Sequence, residues 1–219
     1  MNKLLKLKKE LNSINGNAIV KTQIIDFSDA NTIKTASENL KDNLLSGIVL
    51  ISARPKIDST AFPPASQWKQ LFNIGFIMPL ETIKSFSDRI TNNSSIVVMS
   101  GLSSKYLMSG YSNTNVLRIA WNAQIKNIAK HLGKKNIRIN AISPGIIMTK
   151  HHENRIKKKA QKNGVTYQKQ LEIDSSSLPL NKFGETLDVA NLVSFLISNK
   201  SKHINGSNIA LDGGQSSSY

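Results

Sequence analysis

The residues most suited to chemistry cluster around one turn. Asn140-Ala141-Ile142-Ser143-Pro144-Gly145 leaves an apolar run and turns. In an open α/β sheet, such a turn at the C-terminal end of a strand is where ligands bind. Pro144 lacks a backbone donor and Gly145 lacks a side chain, so a ligand can approach main-chain atoms closely. Thr149 stands at the start of the following helix, where its hydroxyl either caps that helix or hydrogen-bonds a carboxamide or phosphate. His151 and His152 come next as candidate acid/base groups, although adjacent histidines on a basic helix more commonly face solvent. Asp212-Gly213-Gly214 reads as a turn rather than as chemistry. With no cysteine there is no disulfide, thiolate metal site or cysteine nucleophile, and no His/Asp/Glu spacing suits a metal. Gly16 sits alone in a turn, and no glycine-rich phosphate loop occurs anywhere.

The elements that must position these residues alternate between strand and helix, the pattern of a parallel α/β sheet. Leu4, Leu7, Leu11 and Ile14 recur at helical spacing, and Asn15-Gly16 breaks the helix. Ala18–Ile25 reads as a strand ending at Asp26, and Ser28 and Asp29 can cap a helix from Ala30 to about Leu40. Ser46–Ser52 and Ser94–Ser100 are short, continuous apolar runs of buried-strand type. Between them, a loop at Arg54–Pro64 leads into a long helix at about Ala65–Ile90 that Pro79 can kink. Leu117, Trp121, Ile125, Ile128 and Leu132 mark an amphipathic helix, and Asn136–Ile142 a strand. A lysine-rich helical segment is expected from Lys150 to about Gln170, a helix at Leu187–Ser198, and a last strand and turn at Ser207–Gly214.

The chain has 219 residues, enough for one domain over residues 1–219 with a well-buried core. At 39% hydrophobic and 20% charged it is globular rather than disordered, and no apolar run approaches the roughly 18 residues of a membrane span. The opening residues read as a cationic helix rather than a secretory signal, and the lack of cysteine is compatible with a cytoplasmic location. The net charge of +15 favours anionic partners, but the lysines are dispersed along the chain, as on a generally solvated surface.

Four phrases in order and at the right separations resemble the short-chain dehydrogenase/reductase family, and its 3-oxoacyl-carrier-protein reductase branch in particular. They are Ile24-Ile25-Asp26-Phe27-Ser28-Asp29, Asn136 to Thr149, Leu178 to Ser198, and Ile204 to Gly214. The resemblance covers nearly the whole chain. It implies a Rossmann-like, doubly wound parallel sheet, an NAD(P) cofactor, and a carbonyl or hydroxyl substrate. It also implies an adenine contact at Asp26 and a nicotinamide contact over Pro144, Gly145, Ile147 and Thr149.

Against that pattern the first two strands and the glycine-rich loop are missing, roughly one βα unit plus a strand, as in an N-terminally truncated member. In a sheet of order 3-2-1-4-5-6-7 this removes the centre. Ala18–Ile25 must then slide in beside Ile48–Ser52, pair with another chain, or leave an apolar edge exposed, in a sheet of about five or six strands. The family's catalytic Asn, Ser, Tyr and Lys fall by gapless alignment on Gly75, Gly101, Thr114 and Arg118. A threonine hydroxyl cannot replace a phenol as an acid at neutral pH, whereas Arg118 keeps the cation and can hold a ribose or a phosphate. Thr114-Asn115-Val116-Leu117-Arg118 resembles an atypical branch with Ser-Asn-x-x-Arg in place of Tyr-x-x-x-Lys. A shifted site would use Tyr111 with Ser100 or Ser103, and Arg118 as the cation; Tyr111 as a plain helix-entry residue is the blander reading.

Three functional readings follow. The first is an NAD(P)-dependent oxidoreductase, impaired or inactive, acting on a carbonyl, including a 3-oxoacyl thioester. Here the basic segment carrying Lys150, Arg155, Lys157, Lys158, Lys159 and Lys162 would attract an acidic carrier protein or coenzyme A. The second is a non-catalytic homologue serving as a binding or oligomerisation module, as a homodimer, homotetramer or partner of an intact paralogue. It would associate through the two long helices and the last strand. The third, nucleic-acid binding, has charge in its favour but no recognised motif or stacking platform.

Overall fold

The computed structural model describes residues 2–14, 17, 19–40, 43–52 and 60–217. The expected break at Asn15-Gly16 and most of the loop at Arg54–Pro64 lie outside the described residues. Among the described residues, four parallel strands form one sheet in sequential order: β1 (Leu45–Leu50), β2 (Ile90–Met99), β3 (Arg138–Pro144) and β4 (Asn208–Leu211). Helices cover both faces, the doubly wound arrangement that the alternating pattern implies. The described α-helices are α1 (Asn2–Ile14), α2 (Ala30–Asn39), α3 (Ala65–Phe72), α4 (Met78–Ser87), α5 (Ser112–Leu132), α6 (Lys150–Asn163), α7 (Tyr167–Ser176) and α8 (Thr186–Ile197).

Strand alternation divides the core. Ile96 and Val98 of β2 and Ile139 and Ala141 of β3 pack with Trp121, Ile125, Ala129 and Leu132 of α5. Val97 and Ile142 point the other way, onto Leu196 of α8. Each such fully buried aliphatic side chain contributes about 1.5–3 kcal/mol relative to exposure. Register runs without a slip from Ser95 opposite Arg138 to Met99 opposite Ile142, so the strands end together. The turns that follow them therefore share one edge.

Arg138 and Asn140 share the α8 face of β3 and tie it to the end of that helix. The buried Arg138 guanidinium donates to Leu196 O (3.0 Å), Ser198 O (3.1 Å), Ile204 O (3.3 Å) and Ser201 Oγ (2.9 Å). Burial pulls it below the ordinary arginine range. That range starts high enough for it to remain a cation at neutral pH, set favourably against the C-terminal carbonyls of α8. Asn140 Nδ2 donates to Ile204 O (2.8 Å), and its Oδ1 accepts Ser207 N–H (3.0 Å).

Several sequence expectations need correction. Residues 19–26 form no strand; Ile19 is 87% and Ile24 57% exposed. β1 pairs with β2 alone, and a strand without a neighbouring ladder has nowhere to place its hydrogen bonds. A cavity of about 960 Å³ separates this segment from β1, lined by Ile24, Phe27, Ile48, Leu50, Ile74 and Phe86. Among the described residues the sheet therefore has four strands instead of five or six, with an apolar edge left open. The expected helix from Lys150 to Gln170 is two helices, because Gly164 adopts a left-handed φ of 66° and Thr166 Oγ1 caps α7 on Lys169 N–H (3.1 Å). The helix expected to reach Ile90 ends at Ser87, and Ile90 already belongs to β2.

Replacing Arg138 by alanine removes the charged donor shared by three carbonyls, which keep only the neutral donors Asn140, Ser95 and Ser201. It is expected to lower unfolding free energy by about 3 kcal/mol in urea titrations. A loss below about 0.5 kcal/mol would show that the guanidinium is not what joins β3 to α8.

Candidate functional site

The C-terminal ends of β1, β2 and β3 open onto a cavity of about 1090 Å³. Its floor comes from the segments leaving the strands: Ile51 and Ser52, Ser100 and Gly101, and Pro144 to Ile147. α5 and α6 supply Tyr111, Arg118, His151, His152 and Arg155. The loop after β3 is pinned by a backbone bridge between Ile147 and Gly184, with Met148 N–H on Gly184 O (2.8 Å) and Gly184 N–H on Ile146 O (3.0 Å).

Two of the substituted positions, Gly101 and Arg118, are sterically matched. A Cβ at Gly101 would lie 2.4 Å from Arg118 Nη1 and 2.6 Å from its Cζ, so the guanidinium fills the space that any side chain there would take. Arg118 Nη1 donates to Ser103 Oγ (2.9 Å), which holds it in place. At Gly75, a Cβ would lie 2.8 Å from Leu117 Cδ2. Gly75 lies in a π-helical turn, Asn73–Ile77, that joins α3 to α4. Pro79 has no N–H to give to the carbonyl four residues back, which leaves Gly75 O for Trp121 Nε1 (2.8 Å). The proline thus produces a π-turn at a continuous helix junction, and the freed carbonyl anchors α5.

Of the expected site residues, Tyr111, Ser100, Arg118, Pro144, Gly145, Ile147 and Thr149 all line this cavity. Tyr111 stands at the N-terminal boundary of α5. Thr114 is buried, at 2% exposure, and its hydroxyl donates to Tyr111 O (3.0 Å), so it points away from the cavity. Ser103 reaches the cavity only through Arg118. Ser104 belongs to a buried network with Ser143 Oγ (2.7 Å) and Asn208 Nδ2 (2.8 Å). Thr149 Oγ1 accepts His152 N–H (3.4 Å), and its own proton remains available to a ligand. Asp26 is not brought to this cavity. It lines the second one, and its carboxylate accepts Ser28 N–H (2.8 Å) and Ser28 Oγ–H (2.7 Å), which hold it below the usual carboxylate range.

Sequence reasoning missed Gln215, which follows the last turn and lines the cavity beside Gly145. Its Oε1 and the Oγ of Ser100 are buried with no hydrogen-bond partner among the described residues. Both suit a polar ligand, because an unsatisfied buried acceptor costs about 1–3 kcal/mol. No motif signalled Gln215, because its position depends on how the tail crosses β3. Asp212-Gly213-Gly214 forms the expected turn. Burial alone would raise the Asp212 carboxyl, but hydrogen bonds from Ser216 and Gly214 outweigh it and lower the group. Nearby Tyr106 is raised by burial, then by Asp212 and Tyr111, so it stays a neutral phenol.

A family model described as enoyl-(acyl carrier protein) reductase matches residues 6–216. A 3-oxoacyl-[acyl-carrier-protein] reductase of Thermotoga maritima is 31% identical over 67% of this chain and 52% of its own length. A short-chain dehydrogenase/reductase of Botryotinia fuckeliana is 32% identical over 68% of this chain and 55% of its own. The matched stretch thus spans about half the length of these curated relatives. Among solved structures, an NADPH-dependent reductase involved in bacilysin biosynthesis superposes with a TM-score of 0.89 at 21% identity, covering 100% of this chain and 86% of that one. An NADPH-bound short-chain oxidoreductase of Pseudomonas aeruginosa PAO1 with an atypical catalytic centre superposes at 0.86 and 19% identity, covering 100% and 84%. At these identities the structures establish the fold.

The two glycines should respond differently to a methyl group. Gly101→Ala displaces the far end of a flexible side chain, and unfolding in urea is expected to shift by less than about 1 kcal/mol. Gly75→Ala pushes on the buried Leu117 and is expected to cost about 1–3 kcal/mol. The reverse order would contradict the steric pairing.

Proposed function

The chain belongs to the short-chain dehydrogenase/reductase family, and on that premise we propose that it binds NAD(P) across the C-terminal edge of its sheet and acts, weakly, on a carbonyl or hydroxyl group. The observation that carries this reading is the cavity itself, where Arg118, the orphaned acceptors of Ser100 and Gln215, and the Pro144–Thr149 loop converge. A 3-oxoacyl thioester, on coenzyme A or an acidic carrier protein, is the substrate class that the family resemblance favours.

The described residues fit the two ends of a dinucleotide better than its middle. Gln215 Oε1 can accept a carboxamide N–H beside Gly145, and Thr149 Oγ can donate to the carboxamide oxygen. Arg118 offers a fixed fork to a ribose or phosphate. Asp26 would meet the adenine side, and Ile51 lines both cavities and so links the two ends. Among the described residues no glycine-rich loop stands between them to wrap a pyrophosphate. The nicotinamide, when bound, supplies or accepts the hydride.

The chain's own residues would bind and orient the substrate. Arg118 would polarise the substrate oxygen, and Tyr111 is the phenol within the cavity that would carry the proton. Thr114 is turned away, and no lysine stands at the position of Arg118 to activate a phenol, so weak turnover is the expectation.

A second reading, an assembly module without turnover, is favoured by exposed apolar side chains on the two long helices: Ile77 between α3 and α4, and Val116 and Ile119 on α5. Those faces would pair with a second copy or a paralogue.

Calorimetric titration with NADPH and NADH separates the readings. Micromolar binding that weakens about 10-fold or more in Arg118→Ala, with Tyr111→Phe retaining affinity while losing reduction of acyl-thioester or ketone substrates, is the expected result. No binding at millimolar cofactor would overturn the dehydrogenase reading and leave the assembly module.

A further inference from the structure

The charges of α6 fall on two faces. Lys150, Glu153 and Lys157 recur at i, i+3 and i+7, and both lysines bond the Glu153 carboxylate, at 2.9 Å for Lys150. Lys157 also lies over the Tyr167 ring at 5.6 Å. One carboxylate, Glu153, thus offsets one of the two lysine charges on this outer face. His151, His152, Arg155, Lys158 and Lys159 lie on another stripe, and all five line the cavity. Lys159 is bound to Asp174 of α7, the single carboxylate among the described lining residues. Among the described residues, no carboxylate lies within ion-pair distance of Arg155 or Lys158. The same cavity is lined by the Arg118 guanidinium, held by Ser103 in the space that Gly101 leaves. The positive N-terminus of α6, capped by Thr149, also opens here.

Cations that line one cleft repel, and apolar walls focus their field. Leu102, Leu117, Ile147, Ile156 and Phe183 supply such walls. The cleft gains most from a small ligand that brings its own negative charge inside. Lys150 and Lys157, outside the cavity, share the Glu153 carboxylate, whereas Arg155 and Lys158 inside it have no such partner among the described residues.

Building on the oxidoreductase reading, we propose that the substrate is a small carbonyl or hydroxyl compound bearing a carboxylate or phosphate, and that Arg155 and Lys158 clamp this anion at the cavity mouth. Arg118 lies at the opposite, reacting end. Arg155 and Lys158 are specificity-determining residues rather than catalytic ones, and they act on substrate affinity.

The test is a chemical-shift titration of the full chain, at about 0.15 M salt so that loose surface attraction is screened. Three probes are compared: acetoacetate, dihydroxyacetone phosphate and the neutral acetoacetamide. At least one anionic probe is expected to bind about 10-fold or more tightly than acetoacetamide, and which one does so distinguishes a carboxylate from a phosphate. Arg155→Gln with Lys158→Gln should erase that preference, leave NADPH affinity within about two-fold, and leave the fold intact because both side chains are exposed. Equal binding of all three probes, or an unchanged preference in the double variant, would overturn the clamp. So would a loss seen instead in Lys150→Gln with Lys157→Gln, which would favour docking on the outer face. A large fall in NADPH affinity in the Arg155/Lys158 variant would assign these cations to the cofactor and likewise overturn it. Probe binding is read without cofactor, so a chain that fails to bind NADPH still tests the clamp.

Discussion

A guanidinium and a Cβ cannot both occupy the space beside residue 101, and the chemistry of the site depends on that exclusion. Glycine at 101 lets Arg118 lie against the end of β2 and reach Ser103. At 75, the absence of a side chain admits Leu117, while the carbonyl there, released by Pro79, receives Trp121. These substitutions read one at a time as losses of a catalytic set. In three dimensions each glycine makes room for a larger residue on α5, Gly101 for Arg118 and Gly75 for Leu117. The outcome is a cavity with a fixed guanidinium where the family resemblance implies a lysine.

That arrangement requires strands that end in register. The ladder from β1 to β4 places Ser52, Gly101, Gly145 and Gln215 on one edge, and the buried Arg138 locks the end of α8 to it. Elements whose signals are local were therefore legible from sequence. The continuous apolar runs marked β1 and β2, periodicity marked α5 and α8, and a threonine marked the cap of α6. Residues 19–26 have the composition of a strand and fail to be one, because strand identity depends on a neighbour and not on the segment alone. The break at Gly164 was legible in principle, but the lysine-rich run around it carries no apolar period that would have betrayed it.

The site was legible to the extent that it lies on such local elements. The Pro144–Thr149 loop, Tyr111 and Arg118 all reach the cavity. Thr114 aligns with a catalytic position and yet turns its hydroxyl back along its own helix, a rotation that spacing cannot reveal. Gln215 and the cavity-lining cations of α6 depend on how the tail and α6 fold over the sheet edge, and charge counting alone shows only a diffuse basic segment. Asp26 belongs to a segment that pairs with no strand among the described residues, and a second cavity lies between it and β1.

Hydrogen–deuterium exchange of the full chain with and without NADPH tests most directly whether this edge is a cofactor site. Added protection is expected over Gly145–Thr149 and Ser100–Ser104, with a smaller gain around Asp26–Ser28. Protection confined to other segments, or none at saturating NADPH, would contradict a cofactor site at the strand ends.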